Sequence, residues 1–186
     1  VKVFSTFRLK RQINERIIAG NLSAVKVKDL AALPEVAYIE YDVKLQLALT
    51  QTVPLINASK LHAVQVNGVN VTGKNVSICI IDSGINYTRP DLGGCFGAGC
   101  KVIAGWDQRN NDPDPIGPDL SHATLVALTA AGNGANGLNL GVAPDANIVA
   151  VKMFPDESNE GGTSDLLASM QFCLDNAEKY SIKAIS

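Results

Sequence analysis

Apolar and polar positions follow two different rhythms along the 186-residue chain. In the first fifty residues they alternate in short runs. Arg16 to Ala19 and EVAYIEYDVKLQLAL, from Glu35 to Leu49, have the period-two pattern of strands, whereas Ser23 to Leu33 has helical spacing and stops before Pro34. This predicts a small α+β unit over residues 1–50, with a thin core of its own. Thr50 to Gly73 carries one proline and three asparagine-centred turns between short apolar runs, so residues 51–73 are expected to link that unit to a second one.

Residues 74–186 read differently. NVSICIID is almost wholly apolar, a Gly- and Asp-rich stretch read as loop follows, and then ATLVALTAA, ANIVAVKMF, SDLLASMQFCLDNAEKY and IKAIS alternate helix with strand. Apolar strands separated by helices predict an α/β fold, a parallel sheet covered by helices on both faces, with chemistry at the carboxyl ends of its strands. Leu166, Leu167, Met170, Cys173, Leu174 and Ala177 recur at helical spacing and are expected to face the core.

Composition narrows the function. With 46% hydrophobic and 18% charged residues the chain has enough apolar material for a folded core, and a net charge of -2 argues against nucleic acid and anionic membranes as partners. No apolar run approaches the roughly 20 residues of a membrane span, and the first residues, VKVFSTFRLKRQ, do not form a signal sequence. Five Asn-x-Ser/Thr sequons, at Asn21, Asn57, Asn70, Asn75 and Asn86, are weak pointers to export. The four cysteines match no zinc spacing. Cys95 and Cys100 sit in the flexible GGCFGAGCK and are expected to pair, while Cys79 and Cys173 read as buried small hydrophobes.

Candidate chemistry gathers at few residues. Asp82 ends the apolar run Val76 to Ile81, where a carboxylate is costly without a partner; it is either a turn cap or the orienting acid of a histidine. Only His62 and His122 can serve as imidazole bases. His62 lies in an amphipathic stretch and reads as structural, whereas His122 follows Ser121, a good helix N-cap.

DSGINYTRPDL at Asp82 to Leu92, SHATLVALTAAGNG at Ser121 to Gly134 and GVAPDANIVAVKMF at Gly141 to Phe154 together resemble the subtilisin-like serine peptidases, with aspartate before histidine as in that family. VKVKDLAALPEVAYIEYD, at Val25 to Asp42, resembles the end of the inhibitory propeptide that precedes those enzymes. The resemblance implies the first half of a subtilisin-like catalytic domain behind a ferredoxin-like propeptide, in a secreted, monomeric zymogen acting on peptide and protein substrates. It implies that Asp82 orients His122 as general base for a serine beyond Ser186, and that the strand near Val43 to Leu49 lies across the site as the chain's own inhibitor. Glu160, Gly161 and Gly162 match the edge strand that pairs with substrate backbone. Asp91 matches a position that binds calcium in some members, with the loop that offers Asn136 and Asn139; structural calcium is thus a candidate, and no cofactor is needed for the chemistry.

The sequence departs from the family pattern at two places. GGTSDLL, Gly161 to Leu167, is not the nucleophile motif, and Ser164 reads as a helix N-cap. In the usual H-G-T-H-V-A-G, Ala123 replaces the first glycine, Leu125 the second histidine and Leu128 the second glycine, and the added carbons could crowd Asp82 against His122. Those residues motivate the competing reading, an inactive relative serving as a peptide-binding or inhibitor module. A nucleotide-binding domain would need a glycine-rich phosphate loop that IIDSGINYTRP lacks.

Overall fold

The computed structural model describes residues 7–46, 56–135, 140–156, 158 and 160–186. In the N-terminal unit, β1 (Arg8–Gln12) and β2 (Ile18–Asn21) form an antiparallel hairpin, followed by a 3-10 turn, the short helix α1 (Val27–Ala31) and the strand β3 (Lys44–Gln46). Helix α2 (Ala58–His62) and the two-residue strands β4 (Gln65–Val66) and β5 (Val69–Asn70) lead into the main sheet. There β6 (Ser77–Asp82), β7 (Val102–Asp107), helix α3 (His122–Ala131), β8 (Asn147–Lys152), β9 (Glu160–Gly162), helix α4 (Thr163–Asp175) and β10 (Ile182–Ile185) follow.

Four strands make the parallel sheet, in the order β10-β6-β8-β7. Residue alternation decides which face each side chain takes. Ile80, Ile148 and Ala150 join Ala123, Ala127, Leu128 and Ala131 of α3 in one core, while Cys79, Val149 and Val151 join Cys173 of α4 and Ile182 in the other. The sheet is therefore covered on both sides, as its nearly unbroken apolar strands require. In register, Asp82 pairs with Lys152 and Lys152 with Asp107, so three charged residues end three neighbouring strands at one level. Asp82 and Lys152 each stand two residues beyond one that faces α3, Ile80 and Ala150, and Asp107 comes level with them through the register shift between Val102 and Ala104.

Several expectations are corrected. Strand β7 lies within the stretch read as loop: its VIAGWD carries Val, Ile and Trp, but the run is short and set between Gly- and Asp-rich segments, and it is buried between β8 and the Pro115 loop. Of Glu35 to Leu49, only Lys44–Gln46 is strand among the described residues, and Leu47 to Leu49 lie outside them. Tyr38 and Tyr41 are exposed there: alternation alone does not make a strand without a neighbour for its hydrogen bonds. The first strand is shifted to Ile18–Asn21, and the helix expected over Ser23 to Leu33 is reduced to a 3-10 turn and α1. On α4, Met170 and Leu174 are exposed, and the inward face is set by Asp165, Ser169 and Cys173.

The cysteines give the clearest correction. Cys95 and Cys100 are bonded as expected, but Cys79 and Cys173, read as separate buried hydrophobes, form a second disulfide between β6 and α4. Both are wholly buried, so the burial was legible and the pairing was not.

Candidate active site

The carboxyl end of β6 delivers Asp82 to the face covered by α3, and α3 starts at His122. Ser121 caps that helix: its hydroxyl accepts from the Thr124 amide at 3.1 Å and donates to the Gly84 carbonyl at 2.8 Å, tying the helix start to the turn after Asp82. The turn needs Gly84, whose φ is +89° and whose missing side chain would strike the Lys152 stem and the Pro115 and Ile116 carbonyls.

Asp82 Oδ2 and His122 Nδ1 are 2.6 Å apart, and Asp82 Oδ1 accepts from the Ser83 amide at 2.6 Å. The carboxylate is buried, 5% exposed, so both its oxygens are held by protein. With the Nδ1 proton directed at Asp82, Nε2 is the nitrogen left basic. The crowding expected from Ala123 and Leu128 does not separate the pair. Both side chains are buried in the core with Ala127 and Ala131, and the Ala123 amide donates to Ser83 Oγ at 3.4 Å. His62, by contrast, donates from Nε2 to the Val142 carbonyl at 2.9 Å and fills the structural role expected of it.

The predicted edge strand is present and occupied. β9 pairs antiparallel with β3, setting Lys44 against Gly162, Leu45 against Gly161 and Gln46 against Glu160. Val43 extends the contact, its amide donating to Thr163 Oγ1 at 3.0 Å and its carbonyl accepting from the Thr163 amide at 3.0 Å.

Ser164 is not the N-cap that its sequence suggests, because α4 begins one residue earlier. It stands inside the first turn, and Asp42 from the N-terminal unit caps it: Asp42 accepts from the Ser164 amide and hydroxyl, both at 2.7 Å. Asp165 accepts from the Gly162 amide at 3.1 Å and from Arg109 Nη2 at 2.9 Å, while Arg11 of β1 closes on its other oxygen at 3.1 Å. No residue of 7–43 is buried, so this docking is polar rather than a shared apolar core.

Two carboxyls in that contact are perturbed. Partial burial works to raise the Asp42 pKa, but hydrogen bonds from Ser164, with Lys10 beside it, outweigh burial and hold it below its usual 3.8. Burial likewise opposes ionisation of Asp165, and the Gly162 amide and Arg109 prevail. A depressed pKa stabilises the docked state above the ordinary carboxyl pKa, and that contribution is lost as pH falls through the lowered value. The protection factor of the Val43 amide, its exchange rate relative to the unprotected chain at the same pH, is therefore expected to be high at pH 7 and to fall below about pH 4. Asp42→Asn should lose that protection at both; full protection in that variant would show that Asp42 does not hold the strand.

Asp91 is buried, with the Arg89 guanidinium 3.8 Å away. Among the described residues no three His, Cys, Asp or Glu side chains converge as a metal site, and Asn136 and Asn139 lie outside the described residues.

A parallel α/β sheet with a carboxylate-held histidine at the carboxyl ends of its strands defines a hydrolase-like arrangement. The subtilase family model matches residues 73–182, and the chain belongs to that family. Subtilisin E of Bacillus subtilis (strain 168) is 34% identical over 159 residues, 85% of this chain and 39% of its own length. Minor extracellular protease Vpr of the same strain is 31% identical over 191 residues, covering 91% of this chain and 21% of its own. The structure of the Clostridium perfringens CspB protease shares the fold, with a TM-score of 0.50 and 21% identity, over 64% of this chain and 30% of that one. The chain thus spans well under half the length of these relatives.

Sequence reading missed Asp42, Arg11, Asp165 and Lys152. Of these only Lys152 had a signal: its even spacing from Ile148 and Ala150 in NIVAVK puts it on the face that Asp82 shares.

Proposed function

We propose that this chain belongs to a secreted serine-type endopeptidase made as a zymogen, in which Asp82 and His122 work with a serine outside residues 1–186. The observation that carries the reading is the 2.6 Å contact between Asp82 Oδ2 and His122 Nδ1 on a buried carboxylate. Asp82 holds the ring so that Nε2 takes the serine proton as the hydroxyl oxygen attacks the peptide carbonyl, and the resulting imidazolium returns that proton to the leaving amine. A positioned base of this kind contributes about 10²- to 10⁴-fold to the rate. Water then attacks the acyl-enzyme while Nε2 again takes the proton and returns it to the serine oxygen, which frees the carboxylic acid product and the serine.

Residues 1–50 act in this reading as the inhibitory pro-segment. β3 on β9 supports it, because an extended segment already fills the edge that a substrate would use for main-chain pairing. Export is supported by the extracellular relative, and no helix among the described residues is long and apolar enough to cross a membrane.

The inactive-relative reading rested on Ala123 and Leu128; that both pack in the core beside an intact Asp82–His122 contact supports the active reading over it. The full-length protein, freed of its pro-segment, should label with a fluorophosphonate probe, and His122→Ala should abolish labelling. Equal labelling of that variant would remove His122 from the reaction, and no labelling of the parent would overturn the peptidase reading.

A further inference from the structure

The row Asp82, Lys152, Asp107 sets a lysine between two carboxylates at the ends of β6, β8 and β7. All three are buried, and a lysine is almost never so placed without bound partners. Its ammonium donates to the Ile116 carbonyl at 3.1 Å and lies 3.3 Å from Asp107 Oδ2 and 2.8 Å from Asp156 Oδ1.

What the lysine touches is the framework of the catalytic pair. Its stem lies under Gly84, two residues after Asp82, where a single added carbon would meet Lys152 Cδ. Its ammonium holds Ile116, next to Pro115, whose carbonyl accepts from the Ile85 amide at 3.0 Å. The chain then runs from Ile116 through Asp119 to Ser121 and His122, and Ser121 ties back to the Gly84 carbonyl. Lys152 is thus the one side chain of β8 that reaches both the turn leaving Asp82 and the loop arriving at His122. Asp107 in turn accepts from the Arg109 and Asn110 amides at 2.7 and 3.1 Å, so the ammonium is anchored on a carboxylate that is itself fixed.

We infer that Lys152 is a positioning residue of the catalytic pair: it locks the 83–85 turn to the 115–116 loop and so fixes the separation of Asp82 and His122. The alternatives available to a buried lysine are a plain ion pair or a charge acting on the ring at a distance. A plain ion pair would need only Asp107 and Asp156. The bond to a loop carbonyl and the packing under Gly84 serve neither role, and they are the contacts that connect the two catalytic residues. The inference rests on the reading of Asp82 and His122 as that pair.

The test reads the pair itself, by NMR on the full-length protein: the exchange rate of the His122 Nδ1 proton, which is protected while it bonds Asp82. Because Lys152→Met alone leaves Asp107 buried and uncompensated, the working variant is Lys152→Met with Asp107→Asn. Val151→Ala, which opens a cavity on the opposite face of the same strand, controls for global loss of stability. Exchange should be at least about tenfold faster in the double variant than in the Val151→Ala control, and Lys152→Arg, which keeps the charge and can still reach a carbonyl, should restore protection. Exchange in the double variant equal to that of the control would overturn the inference, as would failure of arginine to do better than methionine. Loss of serine-probe labelling in the full-length parent would sink the peptidase reading and leave this measurement unaffected.

Discussion

Asp82→Asn in the full-length protein is expected to lower kcat by about 10⁴-fold while KM changes little, the scale set by loss of an orienting carboxylate in a serine-histidine-aspartate triad. The geometry gives the reason. Asp82 Oδ2 is 2.6 Å from His122 Nδ1 and Oδ1 is taken by the Ser83 amide, so an asparagine fits the space but must turn either its oxygen or its amide nitrogen to the ring. The Ser83 amide needs an acceptor, which keeps the oxygen on that side and sends the NH₂ to Nδ1. That choice selects the tautomer with its proton on Nε2, and the base loses the lone pair it needs. The edge strand β9, where we propose that substrate pairs, is untouched, which is why the loss is expected on kcat. Steady-state kinetics on an independent peptide substrate measure both constants. A fall in kcat of less than tenfold would show that Asp82 is a turn cap and not an orienting acid.

The pairing of Asp82 with His122 was legible because local rules and the family pattern pointed the same way. A carboxylate at the end of the apolar run NVSICIID and a histidine behind a serine N-cap each have a short-range signature, and the parallel sheet brings strand end and helix start to the same edge. The edge strand was legible for the same reason, as three residues of backbone. What stayed hidden depends on pairing across long separations. The Cys79–Cys173 bond spans 94 residues, and the Asp42 cap on Ser164 joins two units 122 residues apart; nothing near any of these residues announces its partner. Strand β7 was lost because its short VIAGW run stands among Gly-, Asn- and Asp-rich segments that read as loop, and Gly105 within it is required by the close approach of Pro115 and of the Ala150 carbonyl. The N-terminal unit failed in the opposite direction. Its alternation over Val36 to Asp42 is real, yet Tyr38 and Tyr41 face solvent, since period two states only that a strand could form.

Removing the Cys79–Cys173 bond should have the largest effect on stability. A crosslink acts chiefly by restricting the unfolded chain, and the chain-entropy relation gives about 4–5 kcal/mol for a closed loop of this size against about 2 kcal/mol for the loop of Cys95–Cys100. Cys79→Ala with Cys173→Ala is therefore expected to lower Tm by roughly 10–15 °C, and Cys95→Ala with Cys100→Ala by less than half of that. Alanine is the right replacement because both Cys79 and Cys173 are wholly buried, and a serine hydroxyl would add the cost of an unpaired polar group. The bond also has a position that matters to the site: Cys79 stands three residues before Asp82 on β6, and Cys173 stands on α4, the helix that carries β9 and Asp165 at its start. It ties the strand that ends in Asp82 to the helix that follows β9. Calorimetry of both variants, with hydrogen exchange along β6 and β9, separates the two contributions. Equal Tm losses from the two pairs would refute the loop-entropy account, and unchanged exchange along β9 after loss of Cys79–Cys173 would show that the bond stabilises the fold without holding the edge strand to Asp82.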